Sequence, residues 1–465
     1  MLTTHKGILA LLEDRRAMWV ILLLAVVLRL VTLFLVADAP LASDSASEFE
    51  EARLLAAGTP YEPWLPPGFP LYLTLVHRLG AGEFLARASM LLWFLALGLL
   101  GYRLVLDVSR EERWTEEGGR RAHFAANLYL ALFACYPVYV LSSVETMSHL
   151  PAAAGLLATA LLTLRVARGA GTGTAVVLGG VLGFTALIRP TSLVLLVGVP
   201  VYLAVRLKKP LLPLTAFLPA AGIVGLWLLV AHRMTGHFVF INQANTWNLF
   251  LGNNPYTPLY KTWWLGSHVG GESGWPAGFR RLVGEINVLP AHLRSGRYAA
   301  VAWEEITGRP DLFGVRSLSR VRTYLATDSF TGSHLVKIFG LPLWMGLAAI
   351  AVDGAFYVGI VGAVIAALFA GEKALPGKDA LTVLLGTALL YALPYFASFS
   401  HPTYHTPTTP LLGAVAAVFA VRLRRGDDVW EKLKKTRRRR IGLWVVAALF
   451  AAIQIEWLVV MAGAL

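Results

Sequence analysis

The residues with chemical potential in this chain stand out because they interrupt strongly apolar sequence. Asp44 lies in A-S-D-S-A-S-E-F-E-E-A-R-L-L-A-A-G (42–58), directly after the first apolar run. Glu145 and His149 lie in Y-V-L-S-S-V-E-T-M-S-H-L, and Arg189 in A-L-I-R-P-T-S-L. Asn253 and Asn254 fall at the end of N-Q-A-N-T-W-N-L-F-L-G-N-N-P, and His401, Tyr404 and His405 share the turn H-P-T-Y-H. Ionisable groups at membrane depth are costly, which makes each a functional candidate. A positioned carboxylate can take the proton of an acceptor hydroxyl, and a guanidinium fork suits a phosphate. Together they fit group transfer from a lipid-borne phosphate, with cations stabilising the departing phosphate.

Each residue also has a plainer reading. Asp44 could cap the helix that follows it or sit in water. Glu145 could snorkel from the end of a span, and Arg189 could rest on lipid head groups. A His401/His405 metal pair at i,i+4 needs a helix that Pro402 disfavours. Phosphate contacts are therefore the preferred role of this turn, with a divalent metal left open.

Of the 465 residues, 56% are hydrophobic and 15% charged. An ordinary soluble domain has a charged share of about one quarter, so an all-α polytopic membrane protein is predicted. Much of the excess behind the net charge of +13 sits in short loops and in residues 422–440. That suits cytoplasmic loops on an anionic leaflet and argues against a nucleic-acid partner. The single cysteine, Cys135, excludes an intrachain disulfide and disfavours a thiolate metal site.

Residues 18–37 are long enough to cross a bilayer. Lys6, Arg15 and Arg16 before them put the N-terminus in the cytoplasm, so Asp44 faces the outer side. Phe49, Ala52, Leu55 and Ala56 recur at helical spacing, and Gly58 and Pro60 end that pattern. The prolines of P-Y-E-P-W-L-P-P-G-F-P stop any helix, and residues 69–79 are too short to span comfortably, so an interfacial or re-entrant helix on the outer side is expected.

Further spans are predicted at 84–106, 123–141, 150–164, 174–188, 192–205, 211–231, 354–370, 380–396, 408–421 and 441–461, about eleven in all. Residues 340–370 are too long for one span and hold Asp353, so a surface helix followed by a span from 354 is expected. Arg165, Arg168, Arg206, Lys208, Lys209, Lys373, Lys378 and residues 422–440 all fall on the cytoplasmic side of this arrangement. Residues 1–231 form a catalytic membrane module that includes the first outer loop, 38–83. Residues 232–353 form a small outer domain with amphipathic, interfacial helices. Residues 354–465 form a C-terminal membrane module with a basic cytoplasmic loop, 422–440. No internal repeat of the transporter kind is visible.

At these residues the chain resembles the integral-membrane glycosyltransferases of the C-type fold (GT-C), particularly the branch of protein O-mannosyltransferases and aminoarabinose transferases. The resemblance spans residues 18–420. It rests on Asp44 in the first outer loop, the acidic helix ending at Gly58, and L-P-P-G-F-P-L-Y-L. It also rests on S-S-V-E-T-M-S-H-L, the Arg189-Pro190 pair and N-L-F-L-G-N-N-P. It implies a GT-C-like bundle that moves a monosaccharide, hexosyl or pentosyl, from a polyprenyl-phosphate donor to a hydroxyl of a protein, glycan or lipid acceptor. The site would lie at the outer face of a bacterial or archaeal plasma membrane.

Asp44 would be the general base, and Glu145 would help orient the acceptor or stabilise the site. Arg189, His149, Asn253, Asn254, His401, Tyr404 and His405 would contact the donor. No cofactor is certain. Trp64-Leu65-Pro66 stands where aminoarabinose transferases have Glu-Lys-Pro, so that donor and a lipid A acceptor are not carried over. His401 and His405 stand where relatives have arginines, which implies pH-dependent phosphate stabilisation. The alternatives are a flippase or transporter of lipid-linked sugars, and an O-antigen ligase or polymerase using diphosphate donors.

Overall fold

Long runs of Leu, Val and Ala leave helix as the local structure that satisfies every backbone N–H and C=O away from water. The computed structural model describes residues 11–80, 82–109, 116–209, 211–260, 274–371, 374–424 and 436–462, and contains helices but no strand among them. Lys6, Lys373 and most of residues 422–440 lie outside the described residues.

In chain order the helices are α1 (Ala17–Leu35), α2 (Asp44–Ala57), α3 (Gly68–Arg78), α4 (Glu83–Val108), α5 (Glu116–Cys135), α6 (Pro137–Ser142) and α7 (His149–Ala167). Then come α8 (Thr172–Ile188), α9 (Leu193–Leu207), α10 (Leu211–Thr235), α11 (Ala244–Gly252), α12 (Ala277–Asn287), α13 (Ala291–Gly308) and α14 (Pro310–Tyr324). The last are α15 (Phe330–Lys337), α16 (Leu343–Ala370), α17 (Lys378–Ala397), α18 (Thr409–Arg424) and α19 (Arg437–Ala462).

Eight of the described helices are long and apolar enough to cross a membrane: α1, α4, α7, α9 with its preceding turn, α10, α16, α17 and α19. This is a multi-pass membrane protein. Leu23, Leu24, Val201, Leu226 and Leu449 face outward from the bundle and stay exposed, as lipid-facing side chains do. One continuous core runs through α4, α5, α7, α8, α17 and α18. Phe250, Phe279 and Tyr298 centre a second apolar cluster joining α11, α12 and α13.

Two sequence expectations are corrected here. Residues 123–141 do not form one continuous helix, because α5 ends at Cys135 and Pro137 opens the short helix α6. Proline removes an intrahelical donor and clashes with the preceding turn. The carbonyls freed at the end of α5 are taken up by Arg29, which donates to Ala134 O at 2.9 Å and Phe133 O at 3.1 Å.

Residues 340–370 likewise do not divide at Asp353, since α16 runs unbroken through it. Asp353 needs no water because its Oδ1 accepts the Val138 amide of α6 at 2.9 Å. A carboxylate at a helix start offsets the orphan amides there. A short helix, α3, of 11 residues stands where one too short to span was expected at 69–79.

The ends of the bundle differ in chemistry. At one end Asp107 pairs with Arg165 at 3.0 Å, Arg206 with Asp379 at 2.8 Å, and Arg424 with Glu13 at 2.9 Å. The other end carries Asp44, Glu145, Arg189 and the 402–405 turn.

Candidate active site at the Asp44 end of the bundle

Asp44 is the first residue of α2, one turn earlier than the apolar spacing suggested. Ser43 caps the helix without a side-chain bond, at φ 52°, a backbone region rare for a non-glycine residue. The Asp44 side chain is exposed, and the N-terminal end of the helix favours its negative charge.

What fixes this helix end is the next residue. Ser45 Oγ donates to Glu145 Oε2 at 3.0 Å, and Thr146 Oγ1 donates to the Ser45 carbonyl at 3.2 Å. Glu145 Oε1 accepts Arg87 Nη1 at 3.1 Å, and Arg87 also donates to Val36 O at 3.3 Å and Ala39 O at 2.6 Å. The Arg87 and Glu145 side chains are 1% and 2% exposed. Burial raises the Glu145 carboxyl above the usual range, while Arg87 and Ser45 draw it back. Glu145 thus ties the chain after α1, the start of α2 and α4 together, and it places Asp44 from a distance. Sequence reasoning missed Arg87, whose signal was an arginine inside an apolar span, in E-F-L-A-R-A-S-M.

Arg189 follows α8 and is seated by a close approach. A Cβ at Gly68 would lie 2.5 Å from Ile188 N, so only glycine lets α3 reach this point. Arg189 Nη2 lies 2.8 Å from His149 Nδ1. The guanidinium donates there, which leaves the imidazole proton on Nε2. Among the described residues no carboxylate lies within ion-pair distance of Arg189. Asp44, Tyr391, Tyr395 and Tyr404 lie within its electrostatic reach. The Tyr391 and Tyr395 hydroxyls are 3.1 Å apart, Thr191 Oγ1 donates to Tyr395 at 3.3 Å, and Tyr404 stacks on Tyr395 at 4.5 Å between ring centroids. The result is a guanidinium within electrostatic reach of three phenols and of one exposed carboxylate.

The other sequence candidates take supporting places. His405 stacks on Tyr357 at 4.0 Å, and its Nδ1 donates to Tyr324 O at 3.0 Å. Burial lowers it to about 4, so it is neutral and already bonded, unlike the titrating cation the turn suggested. His401 Nδ1 accepts the Thr403 amide at 3.3 Å, and Thr403 Oγ1 donates to Asp328 at 2.9 Å. Asn253 donates to Leu249 O and Ala397 O, both at 3.0 Å, and accepts from Arg320 at 2.9 Å. Asn254 donates to Phe250 O and accepts the Tyr256 amide. These amides bind the chain around α11 to the end of α17, in which Arg320 joins them through Gly252 O and Ala397 O. The polar atoms of both asparagines are occupied by protein.

Two further acids on α2 escaped the sequence reading. Glu48 and Glu51 are 2% and 6% exposed. Burial raises Glu51 to about 7, against the Leu65 and Trp64 amides and Tyr61, which favour its charge. Glu51 Oε1 accepts the Leu65 amide at 2.9 Å. Among the described residues no group of three or more His, Cys, Asp or Glu side chains could hold a metal ion.

The fold and this site define a multi-pass helical membrane protein with a polar cluster at one end of its bundle. No protein-family model matches the chain, and a search of curated proteins likewise finds no match.

Proposed function

We propose that the protein is a glycosyltransferase that moves a monosaccharide from a polyprenyl-phosphate donor to an acceptor hydroxyl. The observation that carries this reading is the exposed Asp44 within electrostatic reach of Arg189, a guanidinium with no carboxylate at ion-pair distance among the described residues. Arg189 holds the donor phosphate, and the phenols of Tyr395 and Tyr404 flank the sugar. Asp44 accepts the proton of the acceptor hydroxyl as its oxygen bonds to the sugar's anomeric carbon. The bond from that carbon to the phosphate oxygen breaks, and the phosphate leaves with the electron pair, its charge stabilised by Arg189. His149 orients Arg189 through Nδ1, and Glu145 orients Asp44 through Ser45. The chain crosses the membrane about eleven times, α5 with α6, α8 and α18 adding to the longer helices. The N-terminus is cytoplasmic and the site faces the outer side of a plasma membrane.

The test is release of polyprenyl phosphate by the purified protein when a lipid-phosphate sugar and an acceptor are combined. Asp44→Asn is expected to slow that release by about 10²- to 10⁴-fold with an unchanged melting temperature. Full activity in the variant removes Asp44 as base, and lipid movement between leaflets without bond cleavage points instead to a flippase.

A further inference from the structure

A buried acid lies within electrostatic reach of the guanidinium proposed to hold a phosphate. Glu48 lies one turn after Asp44 on α2, 2% exposed, with no hydrogen-bond partner for its Oε2. Asp44 and Glu51 from its own helix, Arg189 from the chain after α8 and Tyr61 from the segment after α2 all act on it electrostatically. Ser148, next to His149, lies against its carboxyl. An ionised Glu48 would cancel the Arg189 charge and repel a phosphate. Burial, reinforced by Asp44, pushes the group well above the usual carboxylate range although Arg189 opposes this, and no ion pair between Glu48 and Arg189 forms.

We propose that Glu48 is a ligand-binding residue which, as a neutral carboxylic acid, donates a hydrogen bond to the anionic phosphate oxygen facing Arg189. This role rests on the lipid-phosphate reading above and names the ligand chemistry more closely, as a phosphodiester of a long-chain isoprenoid alcohol. A neutral acid leaves the Arg189 charge whole and adds a donor beside it. It also makes the site self-limiting, because an ionised Glu48 turns the same position into a repulsive one.

The probe is a polyprenyl methyl phosphodiester, whose own charge is constant from neutral to alkaline pH, bound to the detergent-purified full chain. Wild type is expected to lose affinity by about tenfold per pH unit above the Glu48 ionisation. Glu48→Gln keeps a fixed N–H donor, so it should bind within a few-fold of wild type at neutral pH and show no alkaline loss. Glu48→Ala should bind about tenfold more weakly. A Gln variant as weak as the Ala variant, or one that keeps the alkaline loss, overturns the proposal, and the Gln variant decides alone if the Ala variant does not fold. Equal binding by all forms removes Glu48 only, whereas no binding by any form, wild type included, overturns the lipid-phosphate reading as well. The infrared difference between wild type and Glu48→Gln reads the protonation state without ligand: a protonated-carboxyl band lost with Glu48 is expected over the background of Glu51 and Glu145, and a carboxylate band lost in its place also overturns the proposal.

Discussion

The Arg87–Glu145 pair bears more weight than either residue would in water. Both side chains are buried, so removing one partner strands an uncompensated charge. Arg87→Met is expected to destabilise the protein by about 3–5 kcal/mol in thermal unfolding. Adding Glu145→Gln should recover part of that loss, because the stranded charge is then gone. Glu51 carries the opposite lesson. Its folded-state value of about 7 lies above the ordinary 4.5, so the folded state binds more protons than the unfolded chain between these limits. Stability should therefore fall as pH rises through that window, by up to about 3 kcal/mol. Glu51→Gln keeps the acceptor for Leu65 and should flatten this dependence, read from melting temperatures between about pH 4 and 8. A Gln variant with the same slope as wild type would assign the effect elsewhere.

Among the helices, α2 and α3 form the platform of the site. Thr74 Oγ1 donates to Ala52 O at 3.2 Å, joining the two, while Gly68 brings α3 against the end of α8 where Arg189 begins. Gly68→Ala places a methyl group against backbone that cannot yield cheaply. It should cost about 1–3 kcal/mol by overpacking and, by shifting Arg189, weaken lipid-phosphate binding more than the stability loss accounts for. Normal binding in a folded Gly68→Ala protein would mean that Arg189 is seated from another side. The end of α2 was readable from sequence, since Gly58 takes the left-handed conformation at φ 67° that a helix C-terminus favours. Its start was not, because Ser43 has no local capping bond and the restraint comes from Glu145, 100 residues away.

Across the whole molecule, the ends of the bundle differ in a way that fixes a labelling test. In a Cys135→Ser background, an impermeant thiol reagent added to intact cells should label Ser47→Cys and should reach Glu117→Cys only after permeabilisation. The reverse pattern would invert the proposed orientation and put the Asp44 cluster in the cytoplasm. By itself the sequence determined the helical, membrane-spanning class, because hydropathy and proline placement act within a few consecutive residues. It also put Asp44 at the mouth of the first span and Arg189 at the end of another, as polar breaks in apolar runs. Which acids are buried was decided only by tertiary structure. Glu48 and Glu51 share α2 with exposed Glu50 and follow no different local pattern, and their burial depends on what lies against that face. The break at Pro137 was locally legible, yet its repair by Arg29, across 105 residues, and the satisfaction of Asp353 by Val138, across 215, were not. Hydrogen bonds between distant segments depend on how helices meet, and neither composition nor spacing records that meeting.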